Sequence, residues 1–230
     1  MAKDSILADA QYKELFAEGA KDPSKVAQIY DKWARTYEEY STGPLKAKGP
    51  QLLAEVCEKF VPKDALILNV GAGTGLDGVF LRQRGYNKID AMDGSEKMLA
   101  VAKEKKIFDK HIVEFLQPNQ PPQKVQLGHY DAVVGVGIFG LMELNETHFE
   151  ALLAPLKVGG LLVFGVRENL MTPKTKEEMG SFDRDYPYDL EKKMKKLEAE
   201  GRIKLLHSER RPDYAYGDHA GAFFVYELLK

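Results

Sequence analysis

Leu66-Ile67-Leu68-Asn69-Val70-Gly71-Ala72-Gly73-Thr74-Gly75 is an apolar run that breaks into three alternating glycines, and from Leu76 to Arg84 apolar side chains follow at helical spacing. A strand, a glycine turn and a helix in that order make the nucleotide-binding end of a wound α/β sheet. Glycine suits such a turn because the backbone takes tight or positive-φ conformations, and because a ligand can approach without meeting a Cβ. Glycine clusters also mark ordinary turns; the flanking strand and helix patterns favour the nucleotide reading.

A second landmark is Lys88-Ile89-Asp90-Ala91-Met92, ending on Asp93 and followed by Gly94, Ser95 and a new helical pattern that reaches Lys105. Asp93 lies about 20 residues beyond the glycine turn, where a carboxylate at the tip of the second strand accepts the ribose hydroxyls of an adenosine-containing ligand. A helix cap is the plainer role for Asp93 or Ser95, and both roles are compatible. Dinucleotide sites use G-x-G-x-x-G/A, with a pyrophosphate on the helix N-terminus. Here the last small residue is replaced by Leu76, which suits a ligand without pyrophosphate.

At these residues the chain resembles the class I S-adenosylmethionine-dependent methyltransferases, in Asn69-Val-Gly-Ala-Gly-Thr-Gly75 and Met92-Asp-Gly-Ser-Glu-Lys-Met-Leu99. The resemblance continues through Tyr30-Asp-Lys-Trp-Ala-Arg-Thr-Tyr37, Tyr130-Asp-Ala-Val-Val-Gly-Val-Gly137 and Leu156-Lys-Val-Gly-Gly-Leu-Leu-Val163. More narrowly, the Asp-Gly-Ser wording and Gly165-Val-Arg-Glu-Asn169 are similar to the Williams–Beuren region methyltransferase-like proteins. The resemblance implies a Rossmann-like seven-stranded, mostly parallel sheet with an antiparallel last strand, helices on both faces, and N-terminal helices covering the cofactor site. It implies S-adenosylmethionine as cofactor, S-adenosylhomocysteine as product, and a small-molecule or protein methyl acceptor. Carried onto this chain, the cofactor residues are Tyr37, Gly71, Ala72, Gly73, Gly75, Asp93, Gly94 and Ser95, with Met98, Leu116, Gln117, Val136 and Gly137. One departure stands out: where many relatives place an aspartate for the adenine amino group, this chain has Phe115. Adenine recognition then falls to backbone groups, apolar contact and Gln117.

Apolar positions at helical spacing predict helices from about Lys25 to Tyr40 and from Leu45 to Phe60, laid over the cofactor end. A βαβ rhythm follows, with strands to Val70 and Asp93, His111 to Leu116, Tyr130 to Val136 and Gly160 to Val166. A helix bearing Phe149, Leu152, Leu153 and Leu156 contains Pro155, a conflict that predicts a kink or early end. Leu190, Met194 and Leu197 mark a late amphipathic helix, and Ile203 to Ser208 and Ala222 to Leu229 are strands with a long polar link. The expected organisation is one domain over 1–230: a helical cap (1–61), a cofactor core (62–170), and substrate-side loops with C-terminal strands (171–230). Gln117-Pro-Asn-Gln-Pro-Pro-Gln123 reads as a surface loop.

A net charge of −2 over 230 residues offers no general attraction to nucleic acid or anionic membrane. The lone Cys57 sits in an apolar pattern that predicts a buried thiol, and excludes an internal disulfide framework. With the polar start Met1-Ala-Lys-Asp-Ser and no long apolar run, a cytoplasmic protein is the expectation. No pair of histidines has zinc spacing and no G-x-S-x-G motif occurs, so neither metal nor serine-nucleophile chemistry is expected.

Tyr30, Trp33, Tyr37 and Tyr40 fall on one helical face. Such a stripe serves a core; it also serves a cation, because aromatic faces stabilise a sulfonium. Tyr37 is the ring that the resemblance places over the methionine part of the cofactor, while Trp33 reads as packing. Methyl transfer needs in-line orientation and exclusion of water, and a base only where the acceptor arrives protonated. No catalytic base stands out among His111, His129, His148, His207 and His219, although His219 lies in an aromatic, acidic stretch. The acceptor is expected above the strand ends, near Ile138, Phe139, Arg167 to Met171, and the loops 172–188 and 211–220. After the fourth strand, Gly137-Ile-Phe-Gly140 replaces the motif of base-methylating enzymes, and Lys192-Lys-Met-Lys-Lys196 reads as the wet face of a helix.

Two other readings use the same turn: a nicotinamide-dependent oxidoreductase, and a non-catalytic protein that only binds S-adenosylmethionine. Thermal unfolding separates the first from the methyltransferase reading. S-adenosylhomocysteine is expected to raise the melting temperature and NAD to leave it unchanged; the reverse would overturn the assignment.

Overall fold

The computed structural model describes residues 23–43, 46–140, 144–179, 186–215 and 219–230. Two short helices, α1 (Pro23–Trp33) and α2 (Tyr37–Thr42), precede α3 (Gly49–Phe60). The wound core follows as β1 (Ile67–Val70), α4 (Leu76–Gln83), β2 (Ile89–Asp93), α5 (Glu96–Glu104), β3 (His111–Val113) and β4 (Tyr130–Val136). Then come α6 (Phe149–Leu153), β5 (Leu156–Arg167), α7 (Lys176–Met179), α8 (Leu190–Ala199), β6 (Ile203–Ala215) and β7 (His219–Leu228).

The strands form a seven-stranded sheet in the order β3-β2-β1-β4-β5-β7-β6. All neighbours from β3 to β5 pair in parallel, while β7 runs antiparallel to both β5 and β6. This is a Rossmann-like architecture, and the order reverses between β1 and β4, where ligands of wound sheets sit. Successive side chains leave a strand on opposite faces. Leu68, Met92, Val133 and Phe164 therefore join one core with Leu152 of α6 and Met194 of α8. Ile67, Ala91, Val134 and Val225 join the other, with Leu53 of α3, Leu81 of α4 and Leu99 of α5. Covered on both faces, the central strands read in sequence as unbroken apolar runs.

Several expectations need correction. The helix expected over Lys25–Tyr40 is two helices, because the chain turns after Trp33. There the Thr36 N–H and hydroxyl both donate to the Trp33 carbonyl, at 2.8 and 3.3 Å. Leu45 lies outside the described residues, and the next helix starts at Gly49. Leu156 belongs to β5, not to the helix before it. Pro155 has no N–H to continue that helix, and its carbonyl accepts the N–H groups of His129 and Tyr130 at 2.8 and 2.9 Å.

The polar link expected between the last strands is mostly strand, since Arg210 and Arg211 pair with Ala222 and Gly221. Strand β6 lies at the sheet edge, so one side of its ladder needs no partner and Pro212 is tolerated at the irregularity between Arg211 and Ala215. The charges that suggested a loop, Glu209 and Arg211, instead reach α3 through Lys59–Glu209 at 3.3 Å and Arg211–Glu55 at 3.6 Å.

Phe149 anchors the α6 side of the sheet, with its ring 5.7 Å from that of Phe139 and 6.1 Å from that of Phe164. It is fully buried. Phe149→Ala is expected to cost about 3–5 kcal/mol in urea-induced unfolding, a cavity cost that Phe149→Leu should largely avoid.

Candidate functional site

Strand β1 ends in the glycine turn, and Gly71 and Gly73 take φ of +61° and +52°. At Gly71 a Cβ would also fall 2.5 Å from Cγ2 of Ile138, so two independent constraints exclude a side chain there. A Cβ on Gly73 would meet only the Gly71 carbonyl, at 4.0 Å, so that side of the turn is open to approach.

The turn is braced by Asp93. One carboxylate oxygen accepts the Gly73 N–H at 2.8 Å and the other accepts the Ser95 N–H at 2.8 Å. Burial pushes the Asp93 pKa up against these hydrogen bonds, which favour the charged form. Ser95 caps α5, its Oγ accepting the Met98 N–H at 3.1 Å while donating to Asp31 at 2.6 Å. Of the two residues considered for the cap, Ser95 is the one that fills it.

A cleft open to solvent lies beside the turn. Of the residues expected at the cofactor, Tyr37, Gly71, Gly73, Asp93, Gly94 and Ser95 line it, as do Met98, Leu116, Val136 and Gly137. Ala72, Gly75 and Gln117 do not. Ala72 is buried and donates its N–H to Met92, Gly75 packs against Ile107 and Phe108, and the Gln117 amide turns back to the Phe115 carbonyl at 3.4 Å. Tyr30 of the aromatic stripe and Ile138, expected on the acceptor side, also line the cleft, whereas sequence reasoning missed Val26 and Ala27 of α1 and Val70, Met92, Glu114 and Leu144. Phe115, named only as a departure, is also a wall of the cleft. A Cβ on Gly94 would stand 2.2 Å from its ring, so the glycine and the phenylalanine require each other.

The cap helices are fastened to α5 at both ends. Asp31 accepts the Ser95 hydroxyl and the Lys97 N–H, the latter at 3.1 Å. Arg35 makes two hydrogen bonds to Glu104, at 2.8 and 2.6 Å, and Lys105 bonds both Glu38 and the Thr74 carbonyl of the glycine turn. The aromatic stripe divides accordingly. Trp33 is buried with Val26, Ile29 and Met98, whereas Tyr30 and Tyr37 meet edge to face at 6.2 Å and line the cleft.

Beneath the turn lies a second carboxylate, Asp77, which accepts the Asn69 Nδ2–H at 3.0 Å and the Val136 N–H. Both side chains are buried, and burial pushes the Asp77 pKa up to about 7. Cys57 is fully buried and burial raises its pKa, as the apolar pattern around it predicts. Tyr214 is buried too; its hydroxyl donates to the Gly165 carbonyl at 3.4 Å and accepts the Gly137 N–H.

None of His111, His129, His148 and His207 lines the cleft. His148 accepts the Asn145 N–H in a helix cap and burial lowers its pKa, while His207 packs 4.8 Å from the Phe60 ring. His219 opens β7, and its side chain, like Phe182 and Tyr216, lies outside the described residues. Lys192, Lys193, Lys195 and Lys196 surround the buried Met194 on α8. Among the described residues no group of His, Cys, Asp and Glu could hold a metal ion, and no helix is long and apolar enough to cross a membrane.

A family model described as a methyltransferase domain matches residues 67–160. Methyltransferase-like protein 27 of Homo sapiens is 29% identical over 168 residues, which are 71% of this chain and 66% of that protein. Malonyl-[acyl-carrier protein] O-methyltransferase 2 of Ilyobacter polytropus is 28% identical over 202 residues, 82% of this chain and 73% of that protein. The chain thus spans about two thirds to three quarters of the length of these relatives. The fold is similar to that of 1,6-didemethyltoxoflavin-N1-methyltransferase of Burkholderia thailandensis, whose structure holds 1,6-didemethyltoxoflavin and S-adenosylhomocysteine. The TM-score is 0.59 at 13% identity, covering 89% of this chain and 88% of that one.

Because Asp31 joins the cap to the N-terminus of α5, Asp31→Ala is expected to speed amide hydrogen exchange over residues 23–42. Global stability should fall by no more than about 2 kcal/mol, the usual worth of a cap. Unchanged exchange in the cap would show that Asp31 does not hold it.

Proposed function

We propose that this chain, which carries a class I S-adenosylmethionine-dependent methyltransferase domain, binds its cofactor in the cleft beside the glycine turn and methylates a small or medium-sized organic acceptor. The observation that carries the site is the placement of Asp93: a carboxylate at the tip of β2, fixed by two backbone N–H groups and bordering the cleft. A carboxylate has about four lone-pair positions, and with the Gly73, Ser95 and Gly94 N–H groups drawn to it, capacity for a ribose hydroxyl remains. Phe115, Leu116 and Met98 supply an apolar slot suited to adenine. Gly71 and Gly73 let the backbone approach the methionine part, and Tyr30 and Tyr37 offer aromatic faces to a sulfonium.

When bound, S-adenosylmethionine supplies an electrophilic methyl carbon on a positively charged sulfur. The protein's part is to hold donor and acceptor in line and keep water out, which α1 and α2 favour by roofing the cleft. Among the described residues no histidine lines the cleft, and the carboxylates that do are Asp93 and Glu114. Glu114 already receives the Lys124 N–H at 2.8 Å. An acceptor that arrives as a ready nucleophile, without a proton to remove, suits this lining best. The single buried Cys57 accords with a reducing compartment such as the cytoplasm.

Titration calorimetry with S-adenosylhomocysteine tests the site. Asp93→Ala is expected to weaken binding by on the order of 1.5–3 kcal/mol for each charge-assisted ribose hydrogen bond it removes. Unchanged affinity would remove Asp93 from the site. A transfer screen with labelled methyl donor over carboxylate, phenol and amine metabolites then identifies the acceptor; no transfer despite tight donor binding would favour a binding protein over an enzyme.

A further inference from the structure

We propose that the buried Asn69–Asp77 pair beneath the glycine turn is the element by which this protein distinguishes the charged methyl donor from its neutral product. The inference rests on the reading of the cleft as an S-adenosylmethionine site, and concerns groups that do not line that cleft.

Asp77 stands in the first turn of α4, immediately after the glycine turn, and is tied to both walls of the switch point. Its carboxylate accepts the side-chain amide of Asn69, two residues before Gly71 on β1, and the main-chain N–H of Val136 at the end of β4. Gly71 and Val136 both line the cleft, so only short stretches of main chain on either side separate the acid from the ligand space. Asn69 also donates to the Val134 carbonyl at 3.3 Å, while its own Oδ1 is buried without a hydrogen-bond partner.

The groups facing Asp77 are neutral. Cys57 comes from α3 and Tyr214 from β6, both with pKa values raised by burial; Asn69 comes from β1 and the Val136 amide from β4. Lys63 and Arg84 act on Cys57, and Arg167 acts on Tyr214, but among the described residues no cation forms an ion pair with Asp77. A buried carboxylate with no cation beside it is poised between its charged and neutral forms near neutral pH.

The amide of Asn69 can serve either form. Its NH₂ group donates to the carboxylate, and after a 180° turn its unpartnered Oδ1 would accept the O–H of the carboxylic acid.

S-adenosylmethionine carries a sulfonium, an ammonium and a carboxylate, a net charge of +1; S-adenosylhomocysteine keeps the last two and is neutral. The two differ by one unit charge at sulfur, in a setting where fields are weakly screened. Donor binding therefore favours ionised Asp77 and releases its proton to solvent. When the methyl carbon leaves with the acceptor, the C–S bonding pair stays on sulfur and the sulfonium charge disappears. Asp77 then recovers a proton from solvent, and the product loses one attraction that the donor had.

Titration calorimetry of the full chain between pH 5.5 and 7, with each ligand and in two buffers of different ionisation enthalpy, tests this. Asp77 is raised from its ordinary value, so donor affinity should increase as pH rises toward about 7 and level off above. The donor-to-product affinity ratio should rise by up to tenfold per pH unit, with up to one more proton released by the donor. Asp93 contributes to both ligands and largely cancels in the ratio, and the ligands' α-amine titrates above this window. Asp77→Asn, checked for folding by circular dichroism, should flatten the ratio while both ligands still bind. A flat ratio in the parent protein, or an unchanged slope in the variant, overturns the proposal. If the variant does not fold, the parent's ratio and proton count still decide. Failure of both ligands to bind at any pH would instead overturn the cofactor reading on which the proposal stands.

Discussion

The site is organised around the Asp93 carboxylate. Strand β2 delivers it to the tip of the sheet, where it accepts the Gly73 N–H on one side and the Ser95 N–H on the other. A single acid, desolvated and satisfied by main-chain donors, joins Gly73 of the turn to Ser95 before α5 and still keeps capacity for a ligand. Turn, cap and ligand site share one anchor, so a change at Asp93 is felt in all three.

From that anchor the order extends to the cap. Ser95 caps α5 and donates its hydroxyl proton in a hydrogen bond to Asp31 of α1, while Arg35, Glu38 and Lys105 close the other end of the same helix. Among these interactions the ion pair Arg35–Glu104 is exposed and contributes little to stability. Their value is positional: α1 and α2 are held where Tyr30 and Tyr37 form one wall of the cleft. Below the turn, Asp77 and Asn69 provide a buried polar link between β1, α4 and β4.

The wound sheet was legible because its signals are local. The apolar run to Val70, the glycines after it and the helical spacing from Leu76 each reflect the geometry of one element, and β4 begins and ends where its pattern does. Legibility failed where a polar residue is satisfied by a distant partner. Glu209 and Arg211 resemble loop residues until α3 is placed beside β6, and the break after Trp33 depends on how Thr36 uses its hydroxyl. At the site, Asp93 and the glycines were recognisable by spacing. Glu114 and Leu144 were not, since they come from separate segments, after β3 and after β4, that meet only in the folded chain.

The sequence by itself determined the class of fold, the turn and the carboxylate beside it, because periodicity, glycine and residue spacing are properties of a short stretch of chain. It also implied, through its resemblance to a family, which cofactor that turn serves. Only the tertiary structure decided which rings of the aromatic stripe face the cleft, that Phe115 and Gly94 interlock, and that Asn69 and Asp77 share a buried hydrogen bond. The reason is physical: burial, and the charge state that follows from it, depend on which surfaces pack together, and no local pattern specifies that.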